Sequence, residues 1–94
     1  MLTGMKIFSL PDITGDGAAH PVSATHQQCR WFQIQVTAAA RVGDSNISAA
    51  RGAVLDVAGA QFAPPISQAL PGYDLNDVYL LLEAGGTASV LYAI

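Results

Sequence analysis

The clearest regular pattern in the chain is an alternation of side chains between residues 29 and 37. Successive side chains of a β-strand point to opposite faces, so a period of two indicates a strand. The predicted core face carries Arg30, Phe32, Ile34 and Val36, and the opposite face carries Cys29, Trp31, Gln33 and Gln35. We therefore predict a strand of about eight residues, roughly 27 Å long, around which the other strands are arranged.

A second pattern lies near the end of the sequence, where residues 78–84 and 87–94 form two apolar runs around Gly85 and Gly86. Two glycines between strand-like runs are typical of a hairpin with a primed turn, because such turns need positive φ angles. We expect the two runs to pair antiparallel with each other. The first run is apolar on both faces, so we expect it in the centre of a sheet.

The remaining apolar stretches are short and are separated by turn residues. Short strands are predicted at residues 5–10, 20–25, 47–50 and 53–57. Residues 61–63 lead into an extended bend at Pro64-Pro65, and residues 66–70 fit either a helical turn or an edge strand. Residues 12–20 predict a loop, Pro21 restricts its strand to a sheet edge, and Pro71-Gly72 indicates a type II turn. About seven or eight short strands with frequent turns predict an all-β fold, a small antiparallel β-sandwich or a jelly-roll-like barrel. A chain of 94 residues fits a single β-domain over residues 1–94, with residues 1–4 as a candidate extended arm.

The composition is rich in apolar residues and poor in charge. Hydrophobic residues make up 51% and charged residues 12% of the chain, against about 25% charged in typical globular proteins. A free monomer normally carries more surface charge, so one interpretation is a homo-oligomer whose surface is partly covered by other chains. The alternative is that Ser, Thr, Gln and Asn supply the polar surface.

The charges also bear on the class of partner. Net charge is −3, and the basic residues are only Lys6, Arg30, Arg41 and Arg51, which are scattered along the sequence. Nucleic-acid binding is disfavoured because no basic stripe is present to neutralise phosphates. A membrane partner is not expected either, because no apolar run approaches the roughly 20 residues of a spanning helix. We also find no signal-peptide pattern at residues 1–6.

Two groups of residues suggest metal binding at first sight. His20, His26 and Cys29 are potential zinc ligands, but their spacing matches no zinc pattern and no fourth ligand lies nearby. Residues 12–17 resemble the opening of a calcium loop, but Ser23 stands where the bidentate Glu is expected. We interpret these as loop histidines beside a buried, inert cysteine and as an ordinary Asp-rich turn. No metal, cofactor or catalytic residues are predicted.

The carboxylates and aromatic residues have equally ordinary interpretations. The acidic residues are Asp12, Asp16, Asp44, Asp56, Asp74, Asp77 and Glu83. Most of them fall at predicted turns, where Asp caps the backbone, and no pair suggests acid–base catalysis. A sugar-stacking surface is conceivable from Trp31, Tyr73, Tyr79 and Tyr92. Core packing is the favoured role for these rings.

Several short sequence segments between residues 29 and 94 carry a family resemblance. The segments are Arg30-Trp31-Phe32, Arg41-Val42-Gly43-Asp44, Ala50-Arg51-Gly52, Gln61-Phe62-Ala63-Pro64-Pro65, Tyr73-Asp74-Leu75 and Ser89-Val90-Leu91-Tyr92. In these the chain resembles small virion proteins encoded in the head gene clusters of tailed bacteriophages. Such proteins are β-structured and often decorate or cement capsids as dimers or trimers. No set of functional residues transfers, because cementing surfaces differ between phages.

The resemblance implies a structural virion protein that is made in the host cytoplasm and binds the assembled phage head. Its expected partner is the major capsid protein, and a homo-oligomer is expected, with a trimer favoured over a dimer. The alternative is a carbohydrate- or receptor-binding β-module on a virion fibre or another surface appendage. An exposed, rigid aromatic platform would favour that alternative. Enzymatic activity is not expected.

Overall fold

The computed structural model describes residues 6–67 and 72–94, and every regular element in these ranges is a β-strand. The strands are β1 (Ile7–Ser9), β2 (Ile13–Thr14), β3 (Ala19–Pro21), β4 (Gln28–Cys29), β5 (Trp31–Val36), β6 (Ala40–Gly43), β7 (Ala53–Leu55), β8 (Gln61–Phe62), β9 (Tyr73–Asp74), β10 (Tyr79–Leu82) and β11 (Thr87–Ala93). All strand pairs are antiparallel. The all-β antiparallel prediction is therefore confirmed.

The strands form two main sheets and a small pair. Sheet A has the order β1-β11-β5-β8, and β2 also pairs with β11. Sheet B has the order β3-β10-β6-β7, whereas β4 and β9 pair only with each other. Side chains from both sheets share one hydrophobic cluster, which includes Ile34 and Val90 from sheet A and Val42 and Leu82 from sheet B. This is the layered arrangement of a small sandwich.

The alternation that predicted the central strand is confirmed in β5. Phe32, Ile34 and Val36 are at most 3% exposed and face sheet B, whereas the residues between them are exposed or half-buried. Arg30 forms an exposed bend between β4 and β5, so its predicted place on the core face is wrong and the predicted continuous strand is two strands. Cys29 also enters the core, because β4 pairs with β9 instead of continuing sheet A.

The predicted hairpin at Gly85-Gly86 is wrong, because β10 belongs to sheet B and β11 belongs to sheet A. Each strand already has neighbours on both sides, β3 and β6 for β10, and β1 and β5 for β11. Residues 83–86 instead form a turn that crosses between the sheets, with the Gly86 N–H donating to the Glu83 carbonyl at 2.9 Å. Of the two glycines, only Gly85 has a positive φ, at 86°. The expectation that the first apolar run is central in its sheet is confirmed.

Residues 6–15 run along β11 at the edge of sheet A as two short strands, β1 and β2, and we name this segment the edge chain. Ser9 pairs with Leu91, but Ile13 pairs with Ala88, so the edge chain carries one extra residue between these pairs. That extra residue is a β-bulge around Pro11, and bulges and prolines are common at sheet edges. The prediction of a loop over residues 12–20 is therefore wrong, since β2 and part of β3 lie there. β3 is an edge strand of sheet B, as Pro21 predicted.

Other predicted elements have mixed outcomes. Residues 47–50 do not form a strand, because only a single bridge joins Ser48 to Arg51. The strand predicted near residues 53–57 is present as β7, whereas β8 was not predicted, because residues 61–63 were expected only to lead into the bend at Pro64-Pro65. The arm at residues 1–4, most of the segment 66–70 and the Pro71 position of the type II turn lie outside the described residues. Among the described residues, no helix is long and apolar enough to span a membrane.

Candidate binding surface

The two histidines each pair with an aspartate in different parts of the molecule. His20 Nε2 lies 2.7 Å from Asp16 Oδ2, and His26 Nδ1 lies 2.7 Å from Asp74 Oδ2. Cys29 is buried, and burial raises the pKa of its thiol. Within residues 6–67 and 72–94, no three His, Cys, Asp or Glu side chains form a group that could hold a metal ion. The structure therefore does not bring the sequence-level zinc candidates together.

Several aspartates perform the turn-capping role that the sequence predicted. The carboxylates of Asp16, Asp44 and Asp74 each accept a hydrogen bond from the backbone N–H two residues later, at 2.9 Å. Such bonds define Asx turns. The Ala18 N–H is the main reason that the pKa of Asp16 is lowered, with His20 adding to the effect. Asp12, at the bulge, lies 3.4 Å from the Ser89 hydroxyl.

Asp74 connects two segments that are far apart in sequence. Besides the Asn76 N–H, it accepts the Gln27 N–H at 3.0 Å and contacts His26. The Asn76 bond is the main reason that the pKa of Asp74 lies below its ordinary value, and the bonds from His26 and Gln27 add to it. This constellation joins the segment before β4 to the turn after β9. It is a structural connection, because its carboxylate oxygens are occupied by the protein's own donors.

The four large aromatic candidates are distributed over different surfaces and layers. Tyr73 packs edge-on against Phe32 at 5.5 Å and donates its hydroxyl to the Pro65 carbonyl. Tyr92 is only 9% exposed on the inner side of sheet A, whereas Tyr79 alternates with buried core residues of β10 and lies on the outer side of sheet B. Trp31 is half-buried on the outer side of sheet A. The structure therefore does not unite the four rings in one sugar-stacking platform.

The outer side of sheet A is an uncharged face, which we name the amide face. It is formed by Ile7, Ser9, Trp31, Gln33, Gln35, Gln61, Ser89 and Leu91, as the registers and burial patterns place them. The Gln33 side-chain amide donates to the Gln61 side chain. Ile7, Trp31 and Leu91 make one end apolar, with Ile7 66% and Leu91 39% exposed. None of these residues carries a charge. The Asp12 carboxylate borders the face at Ser89, so a partner can cover the part around Trp31, Gln33 and Leu91 without desolvating an ion.

The outer side of sheet B differs, because it contains a groove with charged residues, which we name the Arg41 groove. Its volume is about 390 Å³, and it is lined by Ala39, Ala40, Arg41, Ala49, Val54, Asp56, Leu81 and Glu83. The Arg41 guanidinium donates to the carbonyls of Gly52 at 3.0 Å and Ala49 at 2.9 Å. Arg41 therefore holds the loop after β6 against the sheet and has much of its donor capacity occupied.

Among the described strands, β1 lies at one margin of sheet A, and we name residues 7–9 the open edge. The Ile94 N–H donates to the Lys6 carbonyl at 3.1 Å, and the Leu10 N–H donates to the Val90 carbonyl at 3.0 Å. Alternate residues of an antiparallel strand direct their backbone groups to opposite sides. The N–H and C=O groups of Ile7 and Ser9 therefore point away from β11. In the part of the chain that the structure describes, no strand pairs with them.

Neither the amide face nor the open edge was identified from the sequence. The alternation of Trp31, Gln33 and Gln35 along β5 indicated one row of the amide face. The rows from β1, β8 and β11 depend on strand pairing, which the sequence did not predict. No protein-family profile, curated protein sequence or solved structure matches this chain. The geometry of these surfaces and the resemblance to phage head proteins are therefore the grounds for a functional proposal.

Proposed function

We propose that this protein is a structural virion protein that decorates and cements the assembled head of a tailed phage. In this proposal it is made in the host cytoplasm, forms a homo-oligomer and binds the major capsid protein on the outside of the shell. The observation that carries the proposal is the amide face, which is broad, uncharged and apolar at one end. The resemblance of residues 29–94 to small head proteins supports the same role.

The chemistry of the amide face suits a protein surface as its partner. Burial of Ile7 and Leu91, which are 66% and 39% exposed, would provide apolar contact. The side-chain amides of Gln33, Gln35 and Gln61 can each donate and accept hydrogen bonds, so they can fix the register of the contact. A surface with few charges is typical of the core of a protein interface, where charged residues are depleted.

The proposed mechanism is passive and depends on assembly. A protein that binds only the assembled shell stabilises that state by mass action, because dissociation of the shell would require release of the bound protein. A contact that bridges two neighbouring capsid subunits would provide this selectivity, since isolated subunits offer only half of the site. The decorated head should then resist heat and osmotic shock better than the undecorated head.

Binding to purified heads that lack the protein tests this proposal. The wild-type protein should co-sediment with heads, and Leu91→Arg on the amide face should reduce binding at least about tenfold, because it buries an unpaired charge. Val54→Arg is the matched control, since Val54 is 53% exposed on the other outer side of the sandwich. Failure of the wild-type protein to bind, or equal loss in both variants, would contradict the proposal.

The carbohydrate- or receptor-binding alternative depends on Trp31. This ring lies on the amide face beside Gln33 and Gln35, whose amides could bind sugar hydroxyls. Heads with and without the protein distinguish the two functions. If both withstand heat and osmotic shock equally, and if attachment to host cells falls in Trp31→Ala particles, receptor binding replaces cementing as the better proposal.

A further inference from the structure

The open edge has a backbone pattern that is complementary to itself. Ile7 and Ser9 both direct an N–H and a C=O away from β11, as the flanking bonds at Lys6 and Leu10 require. A second β1 can run antiparallel to the first across a two-fold axis at Phe8. Each Ile7 then opposes Ser9 of the partner subunit, and each of these two pairs exchanges two hydrogen bonds. Four backbone hydrogen bonds would join the two copies.

The same register brings the Phe8 ring of one copy next to the Phe8 ring of the other, and this ring is exposed in the single chain. Phe8 is 40% exposed, and its ring stacks on Tyr92 with a centroid distance of 5.4 Å. Two Phe8 residues that meet at the axis form a non-hydrogen-bonded pair, in which Cα atoms are about 4.5 Å apart and side chains are close. The result is a row of four rings, Tyr92 and Phe8 from each copy. Aromatic cross-strand pairs of this kind stabilise antiparallel sheets.

Side-chain face and backbone donors favour this register over its neighbours. Lys6 would oppose the uncharged Leu10 of the partner subunit. A shift by one residue would place Phe8 opposite a residue of the other sheet face. A shift by two residues toward the bulge would place Ile7 opposite Pro11, which has no N–H to donate. The bulge at Pro11 also confines the pairing to residues 6–10.

We infer that two copies of this chain pair through β1, antiparallel and edge to edge, to form one sheet that continues across a two-fold axis at Phe8. A two-fold contact uses the same edge on both copies and closes on itself, so it produces a dimer and not a filament. The edge geometry thus favours a dimer over the trimer expected from the sequence. This inference rests on the homo-oligomeric part of the proposed function, but it concerns the free protein and requires no capsid.

The mass in solution provides the first test. Sedimentation velocity should give twice the 9.7 kDa chain mass. The Ser9→Pro variant should raise the dimer dissociation constant about tenfold or more, because it removes one donor from each copy. The fold should persist, since the Ser9 N–H points away from β11, and circular dichroism with the urea midpoint checks this.

A matched pair of lysine variants separates the edge from general surface effects. Phe8→Lys should dissociate the dimer, because it would place two like charges opposite each other at the two-fold axis. Val57→Lys should not, although the Val57 side chain is also exposed, at 62% against 40% for Phe8. Equal behaviour of the two variants would overturn the inference.

Cross-linking tests the register itself. The Phe8→Cys variant should form a disulfide-linked dimer on mild oxidation, because a Cα separation of about 4.5 Å lies within the range that disulfides span. The Val57→Cys variant is the control and should remain unlinked. Cys29 is buried and common to both proteins. A dimer that does not cross-link through position 8 would overturn the proposed register.

The outcomes separate this inference from the proposed function. A chain that is monomeric at about 100 µM, or trimeric, contradicts the two-fold pairing, even if it co-sediments with phage heads. A cross-linked dimer that fails to bind heads supports the pairing and contradicts the cementing role.

Discussion

Two isoleucines of the same sheet occupy opposite environments. Ile34 in β5 is 0% exposed, whereas Ile7 in β1 is 66% exposed. β5 has strands on both sides and faces sheet B, but β1 has a described partner on one side only. Ile34 also lies on the inner face of sheet A, whereas Ile7 lies on the outer face, where even Leu91 of the central strand β11 is 39% exposed. Face and strand position together therefore decide what an apolar side chain does: inside a central strand it stabilises the fold, and outside an edge strand it remains available to another chain.

The edge chain itself repeats this contrast over a few residues. Its first half, before the bulge, has exposed side chains throughout β1. Its second half is bonded to the turn between the sheets, because the Gly15 N–H donates to the Gly86 carbonyl at 2.9 Å. Just beyond the edge chain, the Gly17 N–H donates to the Leu82 carbonyl of sheet B at 2.9 Å. The second half is therefore anchored between the sheets, whereas the first half pairs with β11 alone and exposes its side chains to another chain.

The largest expected difference is between alanine substitutions at the two isoleucines. Ile34→Ala should lower the free energy of unfolding by about 2–5 kcal/mol, because it removes buried methyl groups and leaves a cavity. Ile7→Ala should change it by less than about 0.5 kcal/mol. Urea denaturation measures both values, at protein concentrations low enough to keep the chain monomeric. A loss at Ile7 equal to that at Ile34 would show that the edge is buried in the single chain.

A smaller effect is expected at the anchored half of the edge chain. A Cβ at Gly15 would collide with the Glu83 carbonyl and lie 2.8 Å from the Leu82 carbonyl, both of which are backbone atoms. Gly15→Ala should therefore cost about 3 kcal/mol, near the upper end for overpacking. Gly17→Ala is the control, because Gly17 has a positive φ of 81° but open space around it, and a cost of about 1 kcal/mol is expected. The ratio of the two urea-derived values tests whether this half is anchored.

The smallest effect concerns the pH dependence of the Asp74 connection, which belongs to neither the centre nor the open edge. The pKa of Asp74 is lowered in the folded protein from 3.8, mainly by the Asn76 N–H. A lowered carboxyl pKa contributes stability that is present above the unfolded value and is lost as pH falls through the folded value. We expect the wild-type protein to lose stability below about pH 4 and Asp74→Asn to lose less over that range.

The control for the pH series is Asp56→Asn. It changes net charge by the same amount, but Asp56 makes none of the three hydrogen bonds of Asp74. Thermal melting between pH 5 and pH 3 provides the measurement. If both variants lose less thermal stability than the wild-type protein by the same amount between pH 5 and pH 3, the effect is due to net charge, which would contradict the role of the Asp74 connection.

Local patterns determined several features of this protein without any knowledge of its fold. The period of two in residues 32–36 identified the inner face of β5, because alternation depends only on the geometry of one strand. Pro21 identified an edge strand, since its missing N–H excludes the interior of a sheet. Turn-forming aspartates such as Asp16 and Asp44 were also identified from the sequence, because the hydrogen bond of an Asx turn joins residues only two positions apart.

The pairing of strands was decided only by the tertiary structure. The sequence favoured a hairpin between β10 and β11, but Leu80 pairs with His20 and Val42, whereas Val90 pairs with Ile34. The strand pairs that form the amide face and place β1 at the open edge, such as Ile7 with Ala93, join residues that are far apart in the sequence. A local pattern specifies which face of a strand is apolar. It cannot specify the neighbour, because backbone hydrogen bonds are nearly the same for every residue and the choice depends on how all strands bury their apolar faces together.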